Sequence, residues 1–180
     1  MIYVFLANGF EEVEALTPVD VLRRAGKTVC VAGVGSKEIM SSHGITVVCD
    51  ETAEKLTPSA EVEAVVLPGG MPGTLNLEKS AKVNEFIDYA YNNSKYLCAI
   101  CAAPSVLGHK NILNGKNATC FPGFEKDLYG AKLSNDYVVK DGNIITAKGM
   151  GVSLQFGLKI AEQFVGKEKA DSIKSSVQSL

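Results

Sequence analysis

Five short apolar runs set the terms for this chain: residues 2–7, 28–34, 45–49, 63–67 and 96–100. Several are apolar at consecutive positions. A strand of that kind must be covered on both faces, which is the condition of a buried parallel sheet and not of a sheet with one wet face. Helical patterns fill the intervals. Residues 12–25 end at Gly26, a good helix stop. Residues 80–92 carry Val83, Phe86, Ile87 and Ala90 at helical spacing. Residues 104–109 begin with Pro104, which suits a first turn. Residues 152–164 and 167–177 read as two further helices. Asp141-Gly142 between residues 137–140 and 143–147 marks a hairpin. This alternation predicts a doubly wound α/β fold. No repeat, linker or low-complexity segment interrupts it, so residues 1–180 are expected to form a single domain.

The run at 96–100 leads into Leu97-Cys98-Ala99-Ile100-Cys101-Ala102-Ala103-Pro104. An apolar strand meets small residues and then a helix start. This is the form of a nucleophile elbow: a reactive side chain at a sharp strand-to-helix bend, with small residues two positions to either side. Ala99 and Ala103 fill those places, and Cys101 sits at the bend. Read without chemistry, Cys101 would be a core cysteine at a strand end. Read with it, the helix start should lower the thiol pKa, because a thiolate is favoured by free backbone N–H groups.

Two other segments fall at carboxyl ends of strands, where open α/β sheets place their sites. Asn8-Gly9-Phe10-Glu11-Glu12-Val13-Glu14 follows the first run, and Pro68-Gly69-Gly70-Met71-Pro72-Gly73 follows the fourth. The glycine loop lacks the Lys-Ser/Thr of a phosphate loop and the dinucleotide glycine spacing. Its backbone, around Gly70, together with that of Ala102, suits an oxyanion hole. At most one of Glu11, Glu12 and Glu14 is expected to face inward. A carboxyl beside a thiolate would hold its proton and donate it to sulfur in a hydrogen bond. The pattern alone does not choose among the three.

Composition removes several classes. The formal net charge is −2 with no basic cluster, which argues against a nucleic-acid partner. No apolar run approaches the roughly 20 residues that span a bilayer, and the first residues lack a basic signal-peptide region. A cytoplasmic location is the expectation. Five cysteines, an odd number without framework spacing, argue against a disulfide scaffold. Cys98 and Cys101 form a C-x-x-C, but Cys98 falls within the strand, unlike a dithiol pair at a helix start. No metal is expected, since His43 and His109 have no ligand spacing to each other or to the cysteines. His109 lies about two turns along the helix after Cys101, roughly 12 Å off, and is a poor general base. With no Cys-His pair in view, a conventional cysteine protease is disfavoured.

Taken in order, Gly9-Phe-Glu-Glu-Val-Glu14-Ala, Pro18-Val-Asp-Val-Leu-Arg-Arg-Ala-Gly26, Val66-Leu-Pro-Gly-Gly70, Ala99-Ile-Cys-Ala-Ala-Pro104 and Lys148-Gly-Met-Gly-Val-Ser153 resemble the ThiJ/PfpI superfamily. The closest branch is the parkinsonism-associated deglycase branch, DJ-one, with its bacterial relatives. The resemblance implies a flavodoxin-like sandwich and a homodimer. It implies Cys101 as the reactive cysteine, Glu14 as the protonated carboxyl at its sulfur, and Gly69, Gly70 and Ala102 as the backbone donors around it. It implies glyoxalase activity on methylglyoxal or deglycase activity on protein or nucleotide adducts, with no cofactor. Oxidation of the cysteine to sulfinate and chaperone-like protection are implied as the alternative role. The peptidase branch carries His after its cysteine, where this chain has Ala102. One departure stands out: Phe121 occupies the place of a His cast as the acid/base partner. The loss of such a group typically costs about 10²–10⁴-fold in rate. His43 is the remaining candidate for a proton partner.

Overall fold

The computed structural model describes residues 1–179. In chain order the elements are β1 (Ile2–Leu6), α1 (Glu12–Arg24), β2 (Val29–Gly33), β3 (Glu38–Met40), β4 (Thr46–Val48), β5 (Glu51–Thr52) and β6 (Ala64–Leu67). They continue with α2 (Gly73–Lys79), α3 (Ala81–Asn92), β7 (Tyr96–Ile100), α4 (Pro104–His109), β8 (Asn117–Ala118), β9 (Lys132–Leu133), β10 (Val138–Asp141), β11 (Ile144–Ala147) and α5 (Ser153–Ser176). Seven strands form the central sheet in the order β10-β11-β7-β6-β1-β2-β5. Every pairing in it is parallel except β10 with β11.

The consecutive apolar residues of the strands divide between two cores, one on each face. In β1, Tyr3 and Phe5 join a cluster with Phe86 and Ile87 of α3 and with Val106 and Leu107 of α4. Ile2, Val4 and Leu6 point the other way, to Val19 and Leu22 of α1 and Phe156 and Ile160 of α5. The period of two along a strand produces this division. The Phe86 ring sits 4.7 Å from Tyr3 and 5.0 Å from Phe5, in tilted and edge geometries. Each side chain buried this fully stabilises the fold by roughly 1.5–3 kcal/mol. The arrangement is the doubly wound fold that the alternation predicts, in the flavodoxin-like form that the family resemblance implies.

Three details differ from the sequence reading. The run at 45–49 does not join the central sheet: β4 pairs antiparallel with β3 in a separate hairpin. Val48 is 72% exposed there, so this run has no second face to bury. The short edge strand β5 takes the sheet position beside β2. The helix α2 also follows the glycine loop, starting at Gly73 without a side-chain cap. The two C-terminal helices that the pattern predicts are both present: the span labelled α5 is two helices parted at Gly166, whose φ of 79° and ψ of 165° are not helical.

Because β1, β6, β7 and β11 are mutually parallel, their carboxyl ends lie along one edge. Four loops therefore converge: residues 7–11, 68–72, 101–103 and 148–152.

Candidate active site

Cys101 directly follows β7 in a conformation with φ of 65°, the left-handed region that a side chain normally avoids. Such a residue costs on the order of 1–3 kcal/mol and persists only where its surroundings hold it. Two backbone hydrogen bonds do so. The Cys101 N–H donates to the Ala147 carbonyl at 2.9 Å, and the Cys101 carbonyl accepts from the Phe121 N–H at 2.8 Å. The side chain is half-buried and faces Glu14 of α1.

The first turn of α1 sorts its three glutamates. Glu11 is the N-cap, accepting the Glu14 N–H at 2.7 Å. Glu12 turns outward to His43, whose Nδ1 lies 3.0 Å from Oε1. Glu14, one turn further, is 1% exposed and points into the sheet edge. Its Oε2 accepts the Gly69 N–H at 2.9 Å, and the Met150 N–H also donates to its carboxyl. Its remaining partner is the Cys101 side chain.

The loop after β6 can pass this close only because it is glycine. A Cβ on Gly69 would lie 2.6 Å from Cys101 Cβ and 2.7 Å from Glu14 Oε2. Gly70 has φ of 89°, and a Cβ there would meet the Glu11 nitrogen at 2.4 Å. The N–H groups of Gly70 and Ala102 are directed at the Cys101 sulfur. The expectation that Gly69 shares this role is corrected: its N–H donates to Glu14 Oε2 instead.

Burial pushes the Glu14 carboxyl up to about 7, helped by the Glu11 charge and opposed by the hydrogen bonds to Cys101, Gly69 and Met150. Burial pushes the Cys101 thiol up to about 12; the Glu14 charge adds to this, and the Gly70 and Ala102 N–H groups pull it down. The expected lowering by a helix start is therefore overturned. The helix α4 begins only at Pro104 and is six residues long. Desolvation and a carboxyl in direct contact act on sulfur more strongly. Groups in such contact titrate together, so above about pH 7 the pair shares a single proton and carries one negative charge. Backbone donors serve both ends of that pair: Gly69 and Met150 at the carboxyl, Gly70 and Ala102 at the sulfur.

The other candidates lie elsewhere. His43 has a mostly exposed side chain and takes Glu12 as its partner, which raises its pKa. It is not among the groups acting on the thiol. His109 bonds Glu78, and its ring lies 5.1 Å from that of Tyr129 in a tilted geometry. Cys98 is buried within β7. Burial, with nearby carboxylates, pushes Cys49 and Cys120 each up to about 11. Among the described residues, Glu11, Glu12 and His43 bring one ligand atom each within 4.8 Å of one another, a juxtaposition made by folding and invisible in their spacing. The cap and the Glu12–His43 pair already account for these side chains. What the sequence reading missed is the backbone of Met150 at Glu14, although Lys148-Gly-Met-Gly-Val-Ser153 had marked that loop.

The doubly wound fold, with a half-buried cysteine at a strained strand end and a buried carboxyl against it, defines a class, and comparison with known proteins bears this out. The DJ-1/PfpI family model matches residues 1–163. The Parkinson disease protein 7 homolog of Danio rerio is 38% identical over 176 residues, 96% of this chain and 93% of its own. The glutathione-independent glyoxalase DJR-1.2 of Caenorhabditis elegans is 32% identical over 165 residues, 91% of this chain and 87% of its own. Among solved structures, Drosophila melanogaster DJ-1beta superposes with a TM-score of 0.93 at 35% identity, covering 99% of this chain and 97% of its own. A DJ-1 superfamily protein from Salmonella typhimurium, in a mutant form, also reaches 0.93 at 31% identity, covering 99% and 98%. This chain belongs to the DJ-1/PfpI family.

Proposed function

We propose that this protein is a cysteine-dependent, glutathione-independent glyoxalase acting on 2-oxoaldehydes such as methylglyoxal, or on the adducts they form with protein or nucleotide, as a defence against carbonyl stress. The observation that carries this reading is the Cys101 sulfur held between the Glu14 carboxyl and the N–H groups of Gly70 and Ala102. A relative named as a glutathione-independent glyoxalase supports it.

The sulfur adds to the aldehyde carbon of R–CO–CHO, and the carbonyl oxygen takes up a proton to give a hemithioacetal. Glu14 removes the hydrogen from that carbon and returns a proton to the neighbouring one, through an enediol. The result is a thioester of the 2-hydroxy acid. Water cleaves it, releasing R–CH(OH)–COOH and the free thiol. The sum is R–CO–CHO + H₂O → R–CH(OH)–COOH, with no external oxidant or cofactor. A carboxyl with its pKa near 7 suits this work, because it both accepts and donates protons at neutral pH. The two backbone N–H groups at sulfur also suit the oxygen anion that develops beside it.

A second reading draws on Phe121. An apolar ring stands where the family resemblance anticipates a histidine, and His43 and His109 are engaged with Glu12 and Glu78. Proton transfer then rests on Glu14 alone, which favours a redox-responsive protector. In that reading peroxide oxidises Cys101 to the sulfenic and then the sulfinic acid, releasing one water per step, and Glu14 and the same N–H groups stabilise the product. On either reading we expect a cytoplasmic homodimer, with light scattering as the check on assembly.

Lactate formation from methylglyoxal without glutathione, for wild type beside Cys101→Ala, decides between them. Turnover that the variant loses supports the enzyme. No turnover in either, with sulfinate at Cys101 after mild peroxide, supports the sensor.

A further inference from the structure

Next to Glu14 opens a cleft of ≈ 470 Å³ whose walls are mainly Phe121, Pro122, Tyr137, Met150 and Val152. Gly149, which lines it, borders the site. A Cβ on Gly149 would lie 3.2 Å from the Phe121 ring on one side and 3.8 Å from Glu14 Oε1 on the other. The Met150 N–H bonds the Glu14 carboxyl while its side chain is 54% exposed at the cleft. The Phe121 N–H holds the Cys101 carbonyl while its ring is 47% exposed. Two residues that fix the reactive pair through their backbones thus present large apolar side chains to whatever approaches it. A third wall residue is held as well: the Lys148 ammonium lies over the Tyr137 ring at 5.0 Å, and the Lys148 N–H bonds the Tyr137 carbonyl at 3.0 Å. Among the described residues Lys148 makes no salt bridge, so its charge is turned to that ring.

A three-carbon aldehyde offers one methyl group to this surface. Clefts of roughly 300–1,000 Å³ accommodate ligands of drug-like size. We infer that the preferred substrate is a 2-oxoaldehyde with a neutral aryl or bulky alkyl substituent, seated on Phe121 and Met150 while its aldehyde carbon faces Cys101. This rests on the glyoxalase reading above. It gives Phe121 a positive role: the ring that displaces a proton donor becomes the floor of a substituent pocket. Seating is hydrophobic and sensitive to size, since even one methylene in such a pocket changes kcat/KM by about 10–200-fold.

The test compares kcat/KM for phenylglyoxal, giving mandelate, with that for methylglyoxal, giving lactate. The wild-type ratio is expected above about ten. Phe121→Ala and Met150→Ala are each expected to lower that ratio by about tenfold, and Tyr91→Ala, on the exposed face of α3, leaves it unchanged. A wild-type ratio at or below one overturns the inference, as does a ratio indifferent to both cleft variants. If neither aldehyde turns over, the enzymatic reading fails and the cleft is read by nuclear magnetic resonance titration with mandelate and lactate. Shifts at Phe121 and Met150 that saturate at lower mandelate than lactate support the pocket; equal or absent shifts overturn it.

Discussion

At the scale of single residues, the site is a matter of which atoms reach Cys101. Gly69→Ala is expected to force Cys101 and Glu14 apart, because the new methyl would stand 2.6 and 2.7 Å from them. Overpacking of this kind costs about 1–3 kcal/mol, and turnover should fall at least tenfold; urea unfolding and steady-state kinetics measure the two effects. Glu14 gives a pH signature. Its folded pKa, about 7, lies above the usual carboxyl value, so between roughly pH 4.5 and 7 the folded state binds more protons than the unfolded one. Stability therefore falls as pH rises through that window, by on the order of 3 kcal/mol for a shift of this size. Glu14→Gln, which cannot ionise, should be more stable than wild type at pH 8 and lose that advantage by pH 5. A wild-type-minus-variant difference that does not change with pH would show that Glu14 is not held protonated. The same substitution removes the carboxylate that raises the thiol, so the pH midpoint for alkylation of Cys101 should drop. The elbow was legible from Ala99, Cys101 and Ala103, but the sign of the thiol shift was not. A sequence shows a helix start, whereas burial and the Glu14 contact depend on tertiary packing.

At the scale of elements, strands buried on both faces were plain because each is short, apolar throughout and bounded by turn residues. The run at 45–49 has the same composition and went to a surface hairpin, since composition does not reveal whether a second layer covers a strand. Glu51–Thr52, too short and polar to register as a strand, supplies the sheet edge through backbone bonds alone. The break in α5 falls at Gly166, between the two helices expected from the pattern, where a positive φ favours the residue without a Cβ. In α2, Thr74 is 1% exposed and its hydroxyl has no hydrogen-bond partner among the described residues. An unpaired buried hydroxyl costs about 1–3 kcal/mol. Thr74→Val keeps the shape and removes the hydroxyl, so the variant should be about 1 kcal/mol more stable than wild type. Chemical denaturation checks this, and a loss of stability would mean that the hydroxyl is hydrogen-bonded in the folded protein.

At the scale of the whole molecule, one sheet serves two cores, and the chemistry sits where the strands of both end. Each central strand sends alternate residues to opposite faces, so neither core can melt while the strands persist for the other. The strand order makes this coupling strict: β7, which carries Cys101, lies between β11 and β6, and both clusters draw residues from it. We therefore expect the chain to unfold as one unit. Phe86 belongs to one core and Phe156 to the other, and both are fully buried. Phe86→Ala and Phe156→Ala should each cost about 3–5 kcal/mol. With the sheet between them and no shared partner, the double variant should lose close to the sum. Circular dichroism and tyrosine fluorescence, the latter because the chain has no tryptophan, should agree with each other on a single midpoint in each of the four proteins, a midpoint that falls with each substitution. Two separated transitions, or a variant that lowers one probe's midpoint and leaves the other's in place, would mean that the faces fold independently. The geometry of Cys101 would then depend on one core alone. A coincident transition ties the elbow, the Glu14 contact and the glycine loop to the stability of the entire sheet, so that weakening either face loosens the site to the same degree.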